Sequence, residues 1–237
     1  MAATDFSAGG EPPAGCYSLP MQSITSPELA SLSAADFREL AVRVLDPAPR
    51  PRHEIGAPSD FDLNPGFVLE AGTPARPAAV LVPVIARATL ALLFTVRTDH
   101  LTAHAGQIAF PGGKIEPTDA DATAAALREA EEEVGLAAGL VEPLGFLDSY
   151  RTGTGYTIAP LVALVDPGYS LTLNRDEVVD TFEVPLPFLM DPSNHEIHLR
   201  TVGGRDRRFY AMPYGERFIW GATAGILRSM HERIFKS

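Results

Sequence analysis

Three glutamates, Glu129, Glu132 and Glu133, stand at spacings that bring them together if their segment is helical. At about 100° per residue they fall within an arc of about 100°, while the apolar residues of the segment form a stripe roughly 140° away that can pack on a sheet. Like charges at these spacings repel each other, and a bound cation removes that cost. Carboxylates on one rigid face suit Mg²⁺ or Mn²⁺. The alternative is a solvated acidic face.

The surroundings of these glutamates favour a bound ligand. Alanines occupy positions 124–126, so the preceding helical turn is small enough for a bulky group to approach. Just upstream, Phe110-Pro-Gly-Gly113 presents bare backbone. Residues 115–142 hold eight carboxylates and one basic residue, and so carry seven of the eleven net negative charges of the chain.

The same segment carries a recognisable motif. Gly113, Asp119 and the run Arg128-Glu-Ala-Glu-Glu-Glu-Val-Gly-Leu136 closely resemble the Nudix box, Gly-x5-Glu-x7-Arg-Glu-U-x-Glu-Glu-x-Gly-U, where U is aliphatic. The half that begins at Arg128 matches fully. Counting back from Arg128 puts Ala120 where the family has Glu, and Asp119 is the nearest acid. The resemblance implies an α/β fold in which a Nudix-type mixed β-sheet is sandwiched between α-helices in a single domain.

The resemblance also implies the chemistry, which is metal-dependent hydrolysis of a nucleoside diphosphate linked to another group. Glu129, Glu132 and Glu133 are then the metal ligands, together with the Gly113 carbonyl, and Arg128 holds the box together by pairing with carboxylates. Bare carboxylates repel an anionic pyrophosphate, so such a site needs Mg²⁺ or Mn²⁺ to reverse the local charge.

A second motif narrows the substrate. The stretch Leu93–Gly113, with Arg97, Thr98 and Thr102 at spaced positions, resembles the signature of the coenzyme A pyrophosphatase branch. That pattern has Arg in place of Thr102 and Ser or Ala in place of Thr98. The branch implies cleavage of CoA or a CoA derivative to 3′,5′-ADP and 4′-phosphopantetheine. Because of Thr102, the alternative substrate is ADP-ribose, NADH or a nucleotide-sugar. The alternative class is a Nudix-fold binding module without catalysis, which the intact glutamates disfavour.

Three residues of this stretch are candidates for substrate binding. Arg97, at the end of a predicted strand, contacts a substrate phosphate or forms an ordinary surface ion pair. His104 contacts substrate or makes a structural hydrogen bond in its glycine-containing loop. Gly112 lies in the loop that presents bare backbone beside the box.

The general base is predicted to lie outside the box helix. The acids of that helix are needed for metal, and Nudix enzymes often draw a further Glu or Asp from a later loop. Glu177 lies in a polar loop after the strand that ends near Val165, and such a loop can reach over a neighbouring site. Glu183 lies in a β-like run on the face opposite Phe182 and Val184, where it would face solvent. Glu177 is the predicted base and Glu183 the alternative.

The elements that position these residues follow from periodicity and turn signals. Strands are predicted at Ala79–Ala86 and Thr89–Val96, as a buried hairpin, and at Leu144–Tyr150, Tyr156–Val165 and Thr181–Val184. Helices are predicted at Ala122–Val134, closed by Gly135, and at Arg217–Phe235.

Length and composition place this core within a longer chain. At 237 residues, the chain is expected to form one domain with appendages. Residues 1–25 are rich in Ala, Gly, Pro and Ser and are predicted to be a disordered tail. Residues 26–77 are predicted to hold one or two short helices, from Ser26 to near Asp46, followed by a stretch with seven prolines. Residues 78–237 then form the Nudix hydrolase domain.

Charge and cysteine usage exclude several classes of partner. A net charge of −11 has the wrong sign for duplex nucleic acid, so a small-molecule nucleotide is the expected partner. One cysteine, Cys16, cannot form an internal disulfide, which indicates a reducing compartment such as the cytoplasm. The first basic residue is Arg38, so no secretory or transit signal is predicted. Pro83 and Arg87 interrupt the longest apolar tract, which therefore predicts a buried hairpin rather than a membrane span.

Overall fold

The computed structural model describes residues 18–19, 27–50, 58–64, 66, 75–98, 106–202 and 204–236. The strands within them are β1 (Ser18–Leu19), β2 (Arg76–Ile85), β3 (Ala91–Arg97), β4 (Ile108–Ala109), β5 (Gly112–Lys114), β6 (Val141–Phe146), β7 (Tyr150–Arg151), β8 (Tyr156–Val165), β9 (Val178–Pro185), β10 (Glu196–Val202), β11 (Arg205–Tyr214) and β12 (Arg217–Trp220). The α-helices are α1 (Ala34–Val44), α2 (Ala122–Val134), α3 (Leu186–Met190) and α4 (Ala222–Met230). Shorter helical turns span Pro27–Ser31, Ala138–Leu140, Pro192–Asn194 and His231–Phe235.

β2 lies at the centre of an eight-stranded mixed sheet. It pairs in parallel with β8 over its whole length. On its other edge, β3 pairs with it only at Val84 and Ile85, and β5 takes the edge at residues 78–80. The predicted hairpin therefore forms but opens after its turn, and the segment with β4 and β5 fills the gap between β2 and β3. This gap is where Gly112 and Gly113 lie.

The main sheet has a hydrophobic core on each face. β2 is apolar at both alternating positions, as expected for a strand buried on both sides. Ala79, Leu81 and Ile85 pack with α2, whereas Val82 and Val84 pack on the opposite face with α1, α3 and α4. The predicted fold class, a mixed sheet between helices in a single domain, is confirmed.

The predicted strands and helices compare closely with the structure in the main sheet. β8 has the predicted bounds, Thr181–Val184 lies inside β9, and Leu144–Tyr150 is divided between β6 and β7. Outside the main sheet, β10 and β11 were not predicted, and together with β1 and β12 they form a four-stranded antiparallel sheet.

The predicted helix over Arg217–Phe235 is wrong in its first part. Residues Arg217–Trp220 form β12, which pairs with β11 from Tyr214 opposite Arg217 to Ala211 opposite Trp220. Gly221, at φ 65°, then ends the strand and precedes α4. The apolar side chains at the start of this segment can be buried whether the segment is a helix or a strand. Periodicity alone therefore did not distinguish the two.

The described part of the N-terminal extension packs on the main body. Ser33 and Asp36 form a capping box at the start of α1. After the helix, Asp46 exchanges two backbone hydrogen bonds with Phe146, at 3.0 and 2.7 Å. The predicted helix end near Asp46 is confirmed. The predicted tail falls mainly outside the described residues, and the two that are described, Ser18 and Leu19, form β1 against β10.

None of the helices in the described ranges has the length and apolar character needed to cross a membrane.

Candidate active site

α2 carries the three predicted glutamates and has the predicted bounds. Asp121 caps its N-terminus by accepting a hydrogen bond from the Ala124 N–H at 2.8 Å. Gly135, at φ 70°, ends the helix in the left-handed conformation that favours glycine. The alanine-rich stripe of α2 is buried on the main sheet, and this packing directs two of the glutamates towards Gly112 and Gly113.

Glu133 is the most deeply buried of the three glutamates, with 2% of its surface exposed. The Gly112 N–H donates to its Oε2 at 3.1 Å, and Nη1 of Arg97 lies 3.5 Å from its Oε1. Burial raises the pKa of Glu133 to about 7. The hydrogen bond from Gly112 and the charge of Arg97 oppose this rise, whereas the charges of Glu177 and Glu129 add to it. Burial and the neighbouring carboxylates therefore outweigh the two contacts that favour the charged form of Glu133.

Glu129 lies directly against Gly113. A Cβ atom on residue 113 would stand only 2.5 Å from Oε1 of Glu129, so the lack of a side chain there makes room for this carboxylate. Oε1 accepts a hydrogen bond from Nη1 of Arg128 at 3.0 Å, and the Glu129 side chain is 15% exposed. Burial raises the pKa of Glu129, and the contact with Arg128 partly offsets that effect.

Asp119 is the carboxylate that holds Arg128 in place. Arg128 donates from Nε to Oδ1 at 2.9 Å and from Nη2 to Oδ2 at 3.0 Å, which is the strong two-point geometry of an arginine–carboxylate pair. The Glu116 N–H also donates to Oδ2, at 2.7 Å. The hydrogen bonds from Arg128 and then Glu116 lower the pKa of Asp119 to about 2. The sequence left the role of Asp119 open, and its closeness to the expected glutamate position was the available signal.

Arg128 also contacts two of the predicted metal ligands. Its Nη1 donates to Glu129 and, at 2.9 Å, to Oε2 of Glu132, whose side chain is 57% exposed. Across the ranges that the structure describes, no three His, Cys, Asp or Glu side chains are gathered in an arrangement that would hold a metal ion. The glutamate face predicted from the spacing exists, and two of its three carboxylates are turned towards the arginine.

The loop that follows β8 brings Glu177 towards this face. The last carbonyls of a helix lack partners within it. Here the N–H groups of Thr172 and Asn174 donate to the carbonyls of Val134 and Glu133, each at 2.9 Å. Gly135 permits this close approach, because a Cβ there would stand 2.9 Å from the Thr172 nitrogen.

The negative charge of Glu177 acts on both Glu129 and Glu133. After the larger effect of burial, Glu177 is among the causes that raise the pKa of Glu129 and of Glu133. Of the two predicted candidates for the general base, Glu177 is therefore the one beside the carboxylate face.

Glu183, the alternative base, is engaged elsewhere. Arg87 donates to its two carboxylate oxygens from Nε and Nη2, both at 2.7 Å, and the Tyr169 hydroxyl donates to Oε1. The contact with Arg87 is the main reason that the pKa of Glu183 is lowered. Glu183 lies opposite Leu93, four residues along β3 from Arg97, which at about 3.3 Å per residue is roughly 13 Å away.

The three predicted substrate-binding residues differ in where the structure places them. Arg97 lies at the site, at the end of β3, and its Nε is buried without a hydrogen-bond partner among the described residues. Gly112 is also at the site, where its N–H contacts Glu133. His104 lies outside the described residues.

Comparison with known proteins agrees with this fold. The family described as NUDIX domain matches residues 75–200, which is more than half of the chain. The chain belongs to the Nudix family. It is 42% identical over 158 residues to the "Uncharacterized Nudix hydrolase NudL" of Escherichia coli (strain K12), covering 65% of this chain and 81% of that protein. It is 43% identical over 162 residues to the NudL of Yersinia pestis (strain Pestoides F), covering 67% and 80%.

Solved structures give more distant matches. A C. elegans Ap4A hydrolase in a binary complex is 18% identical, with a TM-score of 0.41, over 46% of this chain and 80% of that one. A MutT/nudix family protein from Enterococcus faecalis is 15% identical, with a TM-score of 0.45, over 72% and 66%.

The family and these curated relatives define the class of enzyme. The chain is a Nudix pyrophosphohydrolase, and enzymes of this family act on small nucleotide-derived substrates and generally need a divalent metal ion.

Proposed function

We propose that this enzyme hydrolyses the pyrophosphate bond of coenzyme A or a CoA derivative, giving 3′,5′-ADP and 4′-phosphopantetheine. One observation carries the proposal. The segment Leu93–Gly113, which resembles the CoA pyrophosphatase signature, meets the box helix through Arg97 and Gly112, and both of these contact Glu133. The substrate signature and the acidic helix thus form one site. A single cysteine also supports a cytoplasmic location.

The donor chemistry of this site suits a divalent metal ion, although among the described residues the side chains are not gathered around one point. Glu129, Glu132 and Glu133 are hard oxygen donors of the kind that Mg²⁺ and Mn²⁺ prefer, and the Gly113 carbonyl is the proposed fourth donor. Burial raises the pKa of Glu133, and the negative charges of Glu177 and Glu129 add to that rise, which supports a cation at this face; the missing side chain at Gly113 makes room for the Glu129 carboxylate. When bound, the metal supplies the charge that lets an anionic pyrophosphate approach and polarises its oxygens.

The remaining residues have distinct proposed roles. Arg97 binds a phosphate of the substrate, because it is a cation beside the acidic face with an unpaired buried Nε in the described part of the chain. Arg128, which is held by Asp119, keeps the carboxylates of Glu129 and Glu132 in position. Glu177 takes a proton from the attacking water, since its charge reaches Glu129 and Glu133 and no ion pair with Arg or Lys is found for it within the described residues.

A hydrolysis screen tests the substrate. CoA, 3′-dephospho-CoA, ADP-ribose and NADH are compared at equal concentration with Mg²⁺ and with Mn²⁺, and kcat/KM is measured for each. We expect the highest kcat/KM for CoA. One charged contact to the 3′-phosphate contributes on the order of 1.5–3 kcal/mol, so 3′-dephospho-CoA should be slower by about tenfold or more. A kcat/KM for ADP-ribose well above that for CoA overturns the proposal and favours the alternative substrate.

Glu132→Gln tests the acidic face in the same assay. The Glu132 side chain is 57% exposed, so its replacement should leave the melting temperature nearly unchanged while turnover is abolished. Glu131→Gln is the matched control, because it removes the same charge from an exposed position on the same helix. Near-normal turnover by Glu132→Gln, or equal losses in the two variants, would reject the site.

A further inference from the structure

We propose that Asn174 is a positioning residue that orients the carboxylate of Glu177 for catalysis. The inference rests on the proposed role of Glu177 as general base and adds a residue that the family motif does not contain. Nδ2 of Asn174 donates to Oε1 of Glu177 at 3.1 Å. Among the described residues this is the only hydrogen bond to that carboxylate.

The orientation of the Asn174 amide is fixed by a second contact. Its Oδ1 accepts a hydrogen bond from the Asp176 N–H at 3.2 Å. A backbone N–H can only donate, so the amide oxygen must face Asp176 and the NH₂ group must face Glu177. The amide thus cannot turn over without losing both contacts.

The main chain of the loop is also held by contacts that do not involve this amide. At one end, the Asn174 N–H donates to the Glu133 carbonyl of α2 at 2.9 Å. At the other end, the Thr98 N–H donates to the Glu177 carbonyl at 3.0 Å, and the Thr98 hydroxyl donates to the Asp176 carbonyl at 3.2 Å. These contacts place the Cα of Glu177 but leave its side-chain torsions free.

The Asn174 amide therefore decides where the carboxylate points. Glu177 faces the negative charges of Glu129 and Glu133, which would push an unrestrained carboxylate away from the site. A neutral donor on Oε1 opposes that repulsion without cancelling the charge of the base. The other oxygen, Oε2, is left to accept the proton from water.

Asn174→Asp separates positioning from loop structure. Aspartate has the same shape and still accepts from the Asp176 N–H, but it presents a carboxylate oxygen instead of NH₂ to Glu177 and repels it. With CoA and saturating Mg²⁺, we expect kcat to fall about tenfold or more, within the range that general-base catalysis contributes. KM and the melting temperature should change little. Arg175→Gln is the control, because it lowers the net charge of the same loop by one at an exposed side chain and should retain wild-type kcat.

The double variant Asn174→Asp/Glu177→Gln distinguishes positioning from a general structural role. If Asn174 acts through Glu177, adding Asn174→Asp to Glu177→Gln should cause no further loss of kcat. Independent, multiplying losses, or a full-rate Asn174→Asp, would overturn the inference while leaving the role of Glu177 intact. A full-rate Glu177→Gln would instead show that the proposed base is wrong, and Asn174 would then have nothing to position.

Discussion

Replacing Gly113 by alanine tests whether the Glu129 carboxylate must stand where the structure places it. The backbone at Gly113 is outside the left-handed region, so alanine fits the main chain. The new Cβ would lie 2.5–2.6 Å from the three atoms of the carboxylate group of Glu129. Ordinary contact begins at 3.4 Å, so the carboxylate must move by roughly 0.9 Å.

This displacement should affect rate far more than stability. A misplacement of about 1 Å in a catalytic group costs on the order of 100-fold, so kcat for Gly113→Ala should fall by about that factor. The clash involves the end of a flexible side chain and at most weakens the hydrogen bond from Arg128. The loss of unfolding free energy is therefore about 1 kcal/mol, and the melting temperature should fall by only about 2–4 °C.

Two other glycine variants provide the comparison, with steady-state hydrolysis and thermal unfolding measured for each. In Gly112→Ala the Cβ would stand 2.5 Å from the Ala79 carbonyl oxygen at φ 153°, so both stability and activity should fall because backbone must move. In Gly139→Ala nothing lies within 4 Å, so neither should change. A Gly113→Ala variant with wild-type kcat, or one as destabilised as Gly112→Ala, would refute the assigned role of the Glu129 carboxylate.

Two further predictions concern the support of the site and the core. Asp119→Asn keeps an acceptor for the Glu116 N–H but weakens the two-point ion pair with Arg128. Activity in a kinetic assay should therefore fall about 10- to 100-fold. Unchanged activity would contradict the role of Asp119. Burial lowers the pKa of His195 to about 4. The unfolded chain therefore gains this proton first as the pH falls through about 6.5, and the contribution of His195 to the unfolding free energy should drop by about 2 kcal/mol from pH 7 to pH 5. In denaturant titrations, the unfolding free energy of His195→Gln should fall by less than that of the wild type between pH 7 and pH 5. An equal change in the two proteins would contradict the lowered pKa of His195.

The helix of the site was predictable because its signals are local. The periodicity of the segment and Gly135 after its last turn both lie within residues 122–135, and they predicted α2 with its observed bounds. The shared face of Glu129, Glu132 and Glu133 follows from helix geometry and needs no tertiary contact.

The errors in the predicted strands and helices show the limit of local sequence signals. Arg217–Trp220 has an apolar pattern that a helix and a strand can both bury, and pairing with β11 decided for the strand. β10 and β11 were missed although Gly203-Gly204 closely follows the alternating run over residues 196–201, which is a usable hairpin signal.

The sequence by itself determined the family, the acidic helix and the segment that resembles the CoA signature, because each depends on residue type and spacing along a short stretch. The tertiary structure decided how these parts meet. Only the folded chain shows the Gly112 N–H and Arg97 on Glu133, and Asp119 on Arg128. It also separates Glu177 from Glu183, because a loop that satisfies the free carbonyls of α2 carries the first to the site, while Arg87 holds the second away from it.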